Sequence, residues 1–315
     1  MRIGVIDIGT NSTLLLICDV EGGRLKTVRE EAAITRLGEG LEWSGRLKRE
    51  AMERTAGVVR RYLEICRRVG VEKMIAIGTS ALREAENSGE FIERIEGMGL
   101  KVNVISGEAE AFLSFLSVAM DGSLKLEGRF AVVDVGGGST EVMIGEGLRM
   151  DFHRSFGMGI VKLAERFLRS DPPTEGEMAE MMSFIDSIWE IEADGARALV
   201  SIGGTGTTLA AMKLRLDRFD PEKVHGVEFS YDEIRSILRR LSSLPSRERA
   251  GMPGMEPGRE VVIVSGTAIL ESLMRRLGVD RMVVSSKGVR YGVAYFLSNR
   301  SILERSSLNL DLSAL

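Results

Sequence analysis

The sequence predicts an α/β protein built from two copies of one domain, each with the element order β-β-β-α-β-α-β. In both copies an apolar strand ends in Asp-x-Gly, and a turn bearing hydroxyl groups leads into a second strand. This motif occurs at Asp7 and again at Asp134. A later strand runs into glycine at Gly78 and Gly203, which lie 71 and 69 residues beyond the two aspartates. Spacing this similar indicates an internal repeat.

Helices are predicted between these strands. Residues Lys48 to Val69 carry apolar side chains at helical spacing, and a shorter helix is expected over Thr207 to Leu216. Residues Glu260 to Leu277 fit either an initial strand or a buried helix rich in small residues, and we favour the helix. The last strands are expected around 102–105 and 282–284. They are out of step because the second copy has extra helical material near Arg218 to Gly258.

Composition excludes several classes of protein. The chain has 315 residues, 44% hydrophobic and 28% charged, which is ordinary for a globular protein of two domains. A formal charge of -4 gives no overall basic field for non-specific binding to nucleic acid or to a membrane surface. The longest apolar stretches fall short of the roughly 20 residues that span a bilayer. The N-terminus lacks the pattern of a secretory leader, so the expected location is cytoplasmic.

Cysteine and histidine are too few to form the common sites that depend on them. The chain has two of each, Cys18, Cys66, His153 and His225, and no Cys-x-x-Cys pair. A structural zinc site or a Ser-His-Asp triad is therefore disfavoured. The chemistry must come from carboxylates, hydroxyls, arginines and backbone amides.

The segment from Asp134 to Glu141 is the strongest local signal. If the chain reverses near Gly137 and Gly138, the two acids become cross-strand partners, with Cβ atoms about 5 Å apart. Their mutual repulsion favours a hard divalent cation between them, with phosphate as a further ligand. The glycines and Ser139 would let backbone N–H groups approach an anion closely. The alternative is that the glycines form only a loose hairpin.

Two other turns offer phosphate-binding groups. Asn11 and Ser12 follow the first Asp-x-Gly, although Asp7 could merely close an Asx-turn. The run Gly203, Gly204, Thr205 lies between a strand and a helix, where bare N–H groups and the helix N-terminus favour anions.

A helix is predicted to begin after Ser106, its N-cap. Glu108 and Glu110 then lie about 200° apart around the axis, so they cannot face the same way. Glu108 fits a simple complement to the helix dipole, and Glu110 is the better candidate for a general base. Arg83 could clamp a phosphoryl group or could simply be solvated.

Taken together, these motifs resemble the exopolyphosphatase/guanosine pentaphosphate phosphohydrolase (Ppx/GppA) family, within the superfold of actin, Hsp70 and sugar kinases. The resemblance covers nearly the whole chain, with motifs in the family's order. These are residues 7–12, 79–87, 105–107 with 110–111, 134–141, 159–165 leading to 171–174, 203–205, and Arg290 with Gly292.

The resemblance implies two tandem ribonuclease-H-like domains, each with a mixed five-stranded sheet flanked by helices, and an active cleft between them. The expected domains are 1–122 and 123–297, with a C-terminal helix near 298–315 that could pack back on the first. The implied reaction is Mg²⁺-dependent hydrolysis of a terminal phosphoanhydride, with Mn²⁺ as an expected substitute. The implied roles are base for Glu110, catalysis and metal binding for Glu141, and metal binding for Asp134. The implied phosphate contacts are Asn11, Ser12, Arg83, Gly136, Gly137, Gly138, Ser139, Gly203, Gly204 and Thr205.

Two departures from the family pattern stand out. Ala109 replaces the first Glu of a pair, which removes the capping-box partner of Ser106 but leaves Glu110 in place. Tyr291 replaces an acidic residue that often follows the arginine at 290, which leaves the role of that segment open.

The favoured function is exopolyphosphatase, because the chain has the short two-domain form and no base-recognition pocket can be identified in the sequence. The alternative is a pppGpp phosphohydrolase. A kinase of the same superfold and a non-catalytic polyphosphate or alarmone sensor are less favoured. Inorganic polyphosphate or pppGpp is therefore the expected partner, with no nucleic acid or membrane, and a homodimer is one expected assembly.

Overall fold

The computed structural model describes residues 1–22, 24–192 and 195–299, which form two compact units. The first unit is Met1–Ser117 together with the described residues from Val289 onward, and the second is Val118–Gly288. The division differs from the expected domains in two ways. The chain passes from the first unit to the second after Ser117, a few residues before the expected boundary at 122. Residues 289–297 belong to the first unit and not to the second. The helix expected near 298–315 lies almost entirely outside the described residues.

Within the described residues there are eleven strands and thirteen α-helices. The strands are β1 Arg2–Ile8, β2 Ser12–Glu21, β3 Arg24–Ile34, β4 Lys73–Gly78, β5 Val102–Val104, β6 Arg129–Val135, β7 Thr140–Glu146, β8 Arg149–Phe156, β9 Leu199–Ile202, β10 Glu228–Ser230 and β11 Arg281–Val284. The helices are α1 Leu41–Ser44, α2 Arg49–Arg68, α3 Ser80–Glu84, α4 Ser88–Glu96, α5 Gly107–Ala119, α6 Ile160–Phe167, α7 Glu175–Ile188, α8 Gly204–Lys213, α9 Pro221–Val224, α10 Tyr231–Ser242, α11 Ser246–Ala250, α12 Ile263–Leu277 and α13 Val289–Ser298. No helix among these residues is long and apolar enough to cross a membrane.

The first unit contains the predicted mixed five-stranded sheet, in the order β3-β2-β1-β4-β5. Strands β1, β2 and β3 form an antiparallel meander, and β4 and β5 run parallel to β1. Helix α2 buries Ala56, Val59, Leu63 and Cys66 towards the core, as its helical spacing predicts.

The second unit repeats this order as β8-β7-β6-β9-β11 and adds a sixth strand, so the prediction of five strands was wrong here. The extra strand is β10, which comes from the inserted segment and pairs antiparallel with β11. It buries Phe229 in the core of the second unit, which gives this short strand an apolar reason to join the sheet.

Two helix predictions in this unit can be compared with the structure. The ambiguous segment is indeed helical from Ile263, and α12 is buried along nearly its whole length. Gly266 has no room for a Cβ because Thr205 lies against it. Helix α8 begins at Gly204, three residues before the predicted start, and ends at Lys213. Its first turn therefore lies within the glycine-rich turn itself.

Helix α13 belongs with the first unit because it packs on β1, β2 and β3. The Tyr291 hydroxyl lies 3.0 Å from Thr27 Oγ1, and the Tyr291 side chain is buried. The next residue, Gly292, lies so close to the backbone of Leu113 that any Cβ would overlap it. The tyrosine that departs from the family pattern is thus part of the packing of this helix on the sheet.

Candidate active site

In the first unit, the Asp-x-Gly turn joins β1 to β2. Gly9 N–H donates to the carbonyl of Ser12 at 3.0 Å, which closes the turn. The Asn11 carbonyl accepts from the N–H groups of Thr35 and Arg36, at 3.0 and 2.9 Å. Asn11 is exposed and Ser12 is half-buried. The turn is therefore held through its backbone, which places these two candidate phosphate contacts at its surface.

Asp7 is the buried acid of this turn. Its side chain lies at the end of β1, the residue is 8% exposed, and Oδ1 has no hydrogen-bond partner among the described residues. Burial and the negative charge of Glu110 raise its pKa to about 7, while Arg290 acts in the opposite direction. An unpartnered, buried carboxylate oxygen is costly, so Asp7 is a candidate site residue in addition to those predicted from the sequence.

Glu110 lies in the first turn of α5, whose N-cap is Ser106 as predicted. Ser106 Oγ accepts from the N–H of Ala109 at 3.1 Å, and Ala109 itself is buried. Glu110 is partly exposed and Glu108 fully so, in line with their opposed directions around the helix.

Arg83 lies on Glu110. Its Nη1 donates to Glu110 Oε2 at 2.7 Å and to the Ile105 carbonyl at 3.0 Å, with the two charged side chains 26% and 32% exposed. The Arg83 guanidinium is thus tied to the candidate base in this structure. This arrangement holds the Glu110 carboxylate in one orientation.

Arg290 is the cation that acts to lower the pKa of Asp7. It donates to the Leu15 carbonyl at 3.0 Å and pairs with Glu30 at 3.3 Å, and only 11% of its side chain is exposed. These two contacts hold the guanidinium in place at the start of α13.

In the second unit, Asp134 and Glu141 are direct cross-strand partners of β6 and β7, which confirms the predicted register. Glu141 Oε1 accepts from two hydroxyl groups, Ser139 Oγ at 2.7 Å and Ser155 Oγ at 2.8 Å. These two hydroxyl donors fix the position of one Glu141 carboxylate oxygen. Ser155 lies on β8, and no local sequence signal links it to the hairpin.

The glycine turn of this hairpin is not loose. Gly136 N–H donates to the Ser139 carbonyl at 2.9 Å, and the N–H groups of Ile160 and Val161 donate to the carbonyls of Gly136 and Gly137 at 2.9 and 3.0 Å. The first turn of α6 therefore holds the carbonyl groups of this turn, which fixes its backbone conformation.

The second glycine turn lies against Asp134. Gly203 has φ of 79°, and a Cβ there would lie 2.6 Å from Asp134 Oδ1. Only glycine therefore allows this carboxylate to approach the start of α8. Thr205 is 2% exposed, and its side chain packs against Gly266.

Arg259 contacts this turn, and the sequence analysis did not predict it. Its guanidinium lies directly on the Cα of Gly204, in space that any larger residue at 204 would need. The side chain is 31% exposed and its nearest acid is Glu256 at 3.8 Å. Arg259 lies more than fifty residues along the chain, in a loop of glycine and proline, so no spacing rule indicates the contact.

The second unit offers hard oxygen ligands for a divalent cation. Among the described residues no group of three or more Asp, Glu, His or Cys side chains is placed to hold a metal ion. Asp134 and Glu141 nevertheless supply two carboxylates on paired strands, beside the gap at Gly203. Because Mg²⁺ is commonly held by one or two carboxylates with waters and substrate phosphates, this donor set fits it.

The model of the Ppx/GppA phosphatase family matches residues 16–300. The chain is also 34% identical to Exopolyphosphatase 2 of Mycobacterium tuberculosis, over 94% of this chain and 98% of that protein. It is 28% identical to the guanosine-5'-triphosphate,3'-diphosphate pyrophosphatase of Aeromonas hydrophila, over 93% of this chain and 58% of that protein.

A solved structure of the Ppx/GppA family member of Aquifex aeolicus has the same fold. It superposes with a TM-score of 0.87 at 36% identity, covering 97% of this chain and 98% of the other. The agreement extends to both units of the chain.

Proposed function

We propose that this chain, which belongs to the Ppx/GppA phosphatase family, is a Mg²⁺-dependent exopolyphosphatase. It would hydrolyse the terminal phosphoanhydride of inorganic polyphosphate and release orthophosphate. A pppGpp phosphohydrolase is the second candidate, because one relative carries that substrate in its name.

The choice between the two substrates rests on the extent of the matches. The chain spans 98% of the mycobacterial exopolyphosphatase but only 58% of the Aeromonas pyrophosphatase. The match to the exopolyphosphatase is thus both more extensive and higher in identity, at 34% against 28%.

The roles proposed in the first unit follow from the Arg83–Glu110 pair. Glu110 would accept a proton from the water whose oxygen attacks the terminal phosphorus. The bond from that phosphorus to the bridging oxygen then breaks, and the shortened chain leaves. Arg83 would keep the Glu110 carboxylate oriented, which is a positioning role beside the phosphate contact that the family resemblance implies. Asn11 and Ser12 would contact phosphate at the neighbouring turn.

In the second unit, Asp134 and Glu141 would hold Mg²⁺, and Glu141 would also take part in turnover. Bound Mg²⁺ would neutralise negative charge on the phosphate oxygens. Backbone N–H groups of the two glycine turns would bind phosphate oxygens, as such turns do elsewhere. The candidate contacts are Gly136, Gly137, Gly138, Ser139, Gly203, Gly204 and Thr205, of which Gly136 already donates its N–H to the Ser139 carbonyl and closes the turn.

Phosphate release with Mg²⁺ from short polyphosphate, long polyphosphate, pppGpp and ATP tests the proposal. We expect the largest kcat/KM on polyphosphate. A preference for pppGpp would establish the second candidate, and nucleotide-dependent transfer to an added acceptor would indicate a kinase. Binding of polyphosphate without turnover would indicate a sensor. Parallel titrations with Mg²⁺ and Mn²⁺ test the proposed cofactor. Cell fractionation tests a cytoplasmic location, and size measurement of the native protein tests a homodimer.

A further inference from the structure

A pocket lies in the second unit, at the C-terminal end of α8. It has a volume of about 420 Å³, within the usual range of small-molecule sites. Its floor is apolar and includes Leu209, Met212, Ile237 and Met252. None of its lining residues is among the candidate catalytic, metal-binding or phosphate-binding residues. The proposed phosphatase function therefore does not use this pocket.

The rim of the pocket is positively charged. Arg215 and Arg240 line it, and neither guanidinium has an ion-pair partner among the described residues. The acid of the rim, Glu233, already pairs with Lys213 at 2.6 Å and accepts from the Ser230 N–H at 2.8 Å. The uncompensated charge is thus that of two arginines, whose planar donor forks match phosphate oxygens and stack on flat rings.

Arg215 is held in an unusual backbone conformation. Its φ is +53°, a left-handed value that favours glycine, and it directly follows the C-cap of α8. An arginine there carries a conformational cost that glycine would avoid. A strained residue at the mouth of a pocket is an observation that points towards function.

The opposite wall of the pocket is anchored. Gly254 has φ of +84° and lies so close to the Ala211 backbone that a Cβ would overlap it. This contact fastens the segment carrying Met252 and Pro253 onto α8. Arg249, 4% exposed, donates to the carbonyls of Leu241, Leu244 and Glu260 and ties the neighbouring loop to the end of α10. The walls are therefore preformed, which lowers the entropic cost of binding.

We propose that this pocket binds a nucleoside phosphate, with the base on the apolar floor and the phosphates on Arg215 and Arg240. The thioethers of Met212 and Met252 make favourable contacts with aromatic rings, and the two guanidiniums supply charge-assisted hydrogen bonds. The site is separate from the phosphate turn but shares a helix with it. Gly204 and Lys213 stand about 14 Å apart along α8 at 1.5 Å per residue.

Calorimetric titration of the full chain with GDP, ADP, guanosine and pyrophosphate, in EDTA to prevent turnover, tests this site. We expect both nucleotides to bind about tenfold more tightly than guanosine or pyrophosphate, since only they engage floor and rim together. Arg240→Ala should raise the Kd for GDP by about tenfold. Arg239→Ala is the matched control, because Arg239 is the preceding exposed arginine on α10 and does not line the pocket.

Arg215→Gly separates binding from folding. It removes the guanidinium and the left-handed strain together, so the variant should bind GDP several-fold more weakly while its Tm rises. Phosphate release from polyphosphate should stay unchanged in Arg240→Ala. Pyrophosphate binding that is as tight as GDP binding and equally weakened by Arg240→Ala would overturn the proposal. So would equal losses in Arg239→Ala and Arg240→Ala, GDP binding insensitive to Arg215 and Arg240, or no GDP binding.

Discussion

The two units use the same Asp-x-Gly turn in opposite electrostatic settings. In the first unit Asp7 is buried, lacks a partner for Oδ1, and has its pKa raised to about 7 by burial and by Glu110. In the second unit the half-buried Asp134 lies beside Gly203, and its cross-strand partner Glu141 accepts from two serine hydroxyls. A repeated sequence motif thus fixes the backbone, while residues from other elements determine the surroundings of its acid.

This difference suggests a division of labour between the units. The second unit has paired carboxylates suited to a cation, whereas the first has one oriented carboxylate, Glu110, suited to accept a proton. The following predictions test that division, beginning with the largest effect.

Glu110→Gln should reduce kcat for phosphate release by about 10³-fold, because the amide cannot accept a proton from water. The fold should be unchanged, since Gln retains the shape and can still accept from Arg83. Circular dichroism and a Tm measurement provide the control. Phosphate release within a few-fold of the native rate would remove Glu110 as the base and place the proton acceptor elsewhere.

Asp134→Ala should lower activity by about 10²-fold at ordinary Mg²⁺ and raise the concentration of Mg²⁺ needed for half-maximal activity. The reason is that one of two carboxylate ligands is lost. Asp151→Ala is a suitable control, because Asp151 lies in the same unit and pairs with Arg129. A Mg²⁺ titration of Asp134→Ala that superposes on the native curve would contradict the metal assignment.

Asp7 should make the first unit less stable as pH rises. Its pKa of about 7 in the folded protein lies above the ordinary 3.8, so the folded state holds the proton more tightly. Stability from this group is full below pH 4 and is lost as pH rises to about 7, in total on the order of 4 kcal/mol. Asp7→Asn should remove this loss.

Urea unfolding of native protein and Asp7→Asn in EDTA, at pH 5 and pH 8, measures the effect. The free energy of unfolding of the variant, relative to the native protein, should be higher at pH 8 than at pH 5. An equal difference at the two pH values would show that Asp7 is ionised in the folded state like an exposed acid.

Gly203→Ala should cost about 3 kcal/mol of stability and raise the Mg²⁺ requirement, because its φ is left-handed and its Cβ would press on Asp134. Gly147→Ala is the matched variant, since Gly147 has φ of +56° with no atom within 4 Å of its Cβ. We expect Gly147→Ala to lower the free energy of unfolding by about 1 kcal/mol and to leave the Mg²⁺ requirement unchanged. Similar Mg²⁺ titration curves for both variants would show that Gly203 does not affect the Asp134 carboxylate.

Ser155→Ala should have the smallest effect, a few-fold rise in the Mg²⁺ requirement. Glu141 loses one hydroxyl donor but keeps Ser139. Ser187→Ala, whose hydroxyl donates to a carbonyl of its own helix, is the control. A loss as large as that of Asp134→Ala would assign Ser155 a direct part in the reaction.

Most of the fold was predictable from periodicity and turn chemistry. The two hairpins, the α2 and α12 helices and the Ser106 cap all depend on residues close in sequence. The sixth strand was missed because three residues, Glu228 to Ser230, carry too little pattern to be recognised. The start of α8 was placed too late because Gly204 to Gly206 looked like a loop.

The candidate site was predictable only in part. Local pattern placed Asp134 opposite Glu141 and Glu110 on the first turn of its helix. It could not place Arg83 on Glu110, Arg259 on Gly204, or α13 on the first sheet, because these contacts join residues far apart in the chain.

The sequence by itself determined which backbone turns form, because glycine, aspartate and strand-forming residues act over a few neighbouring positions. Only the tertiary structure decided the state of each acid. Burial and the charges of Glu110 and Arg290 set the pKa of Asp7, and the Ser155 hydroxyl orients the Glu141 carboxylate. Electrostatic interactions depend on distance in space, and the spacing along the chain does not contain that distance.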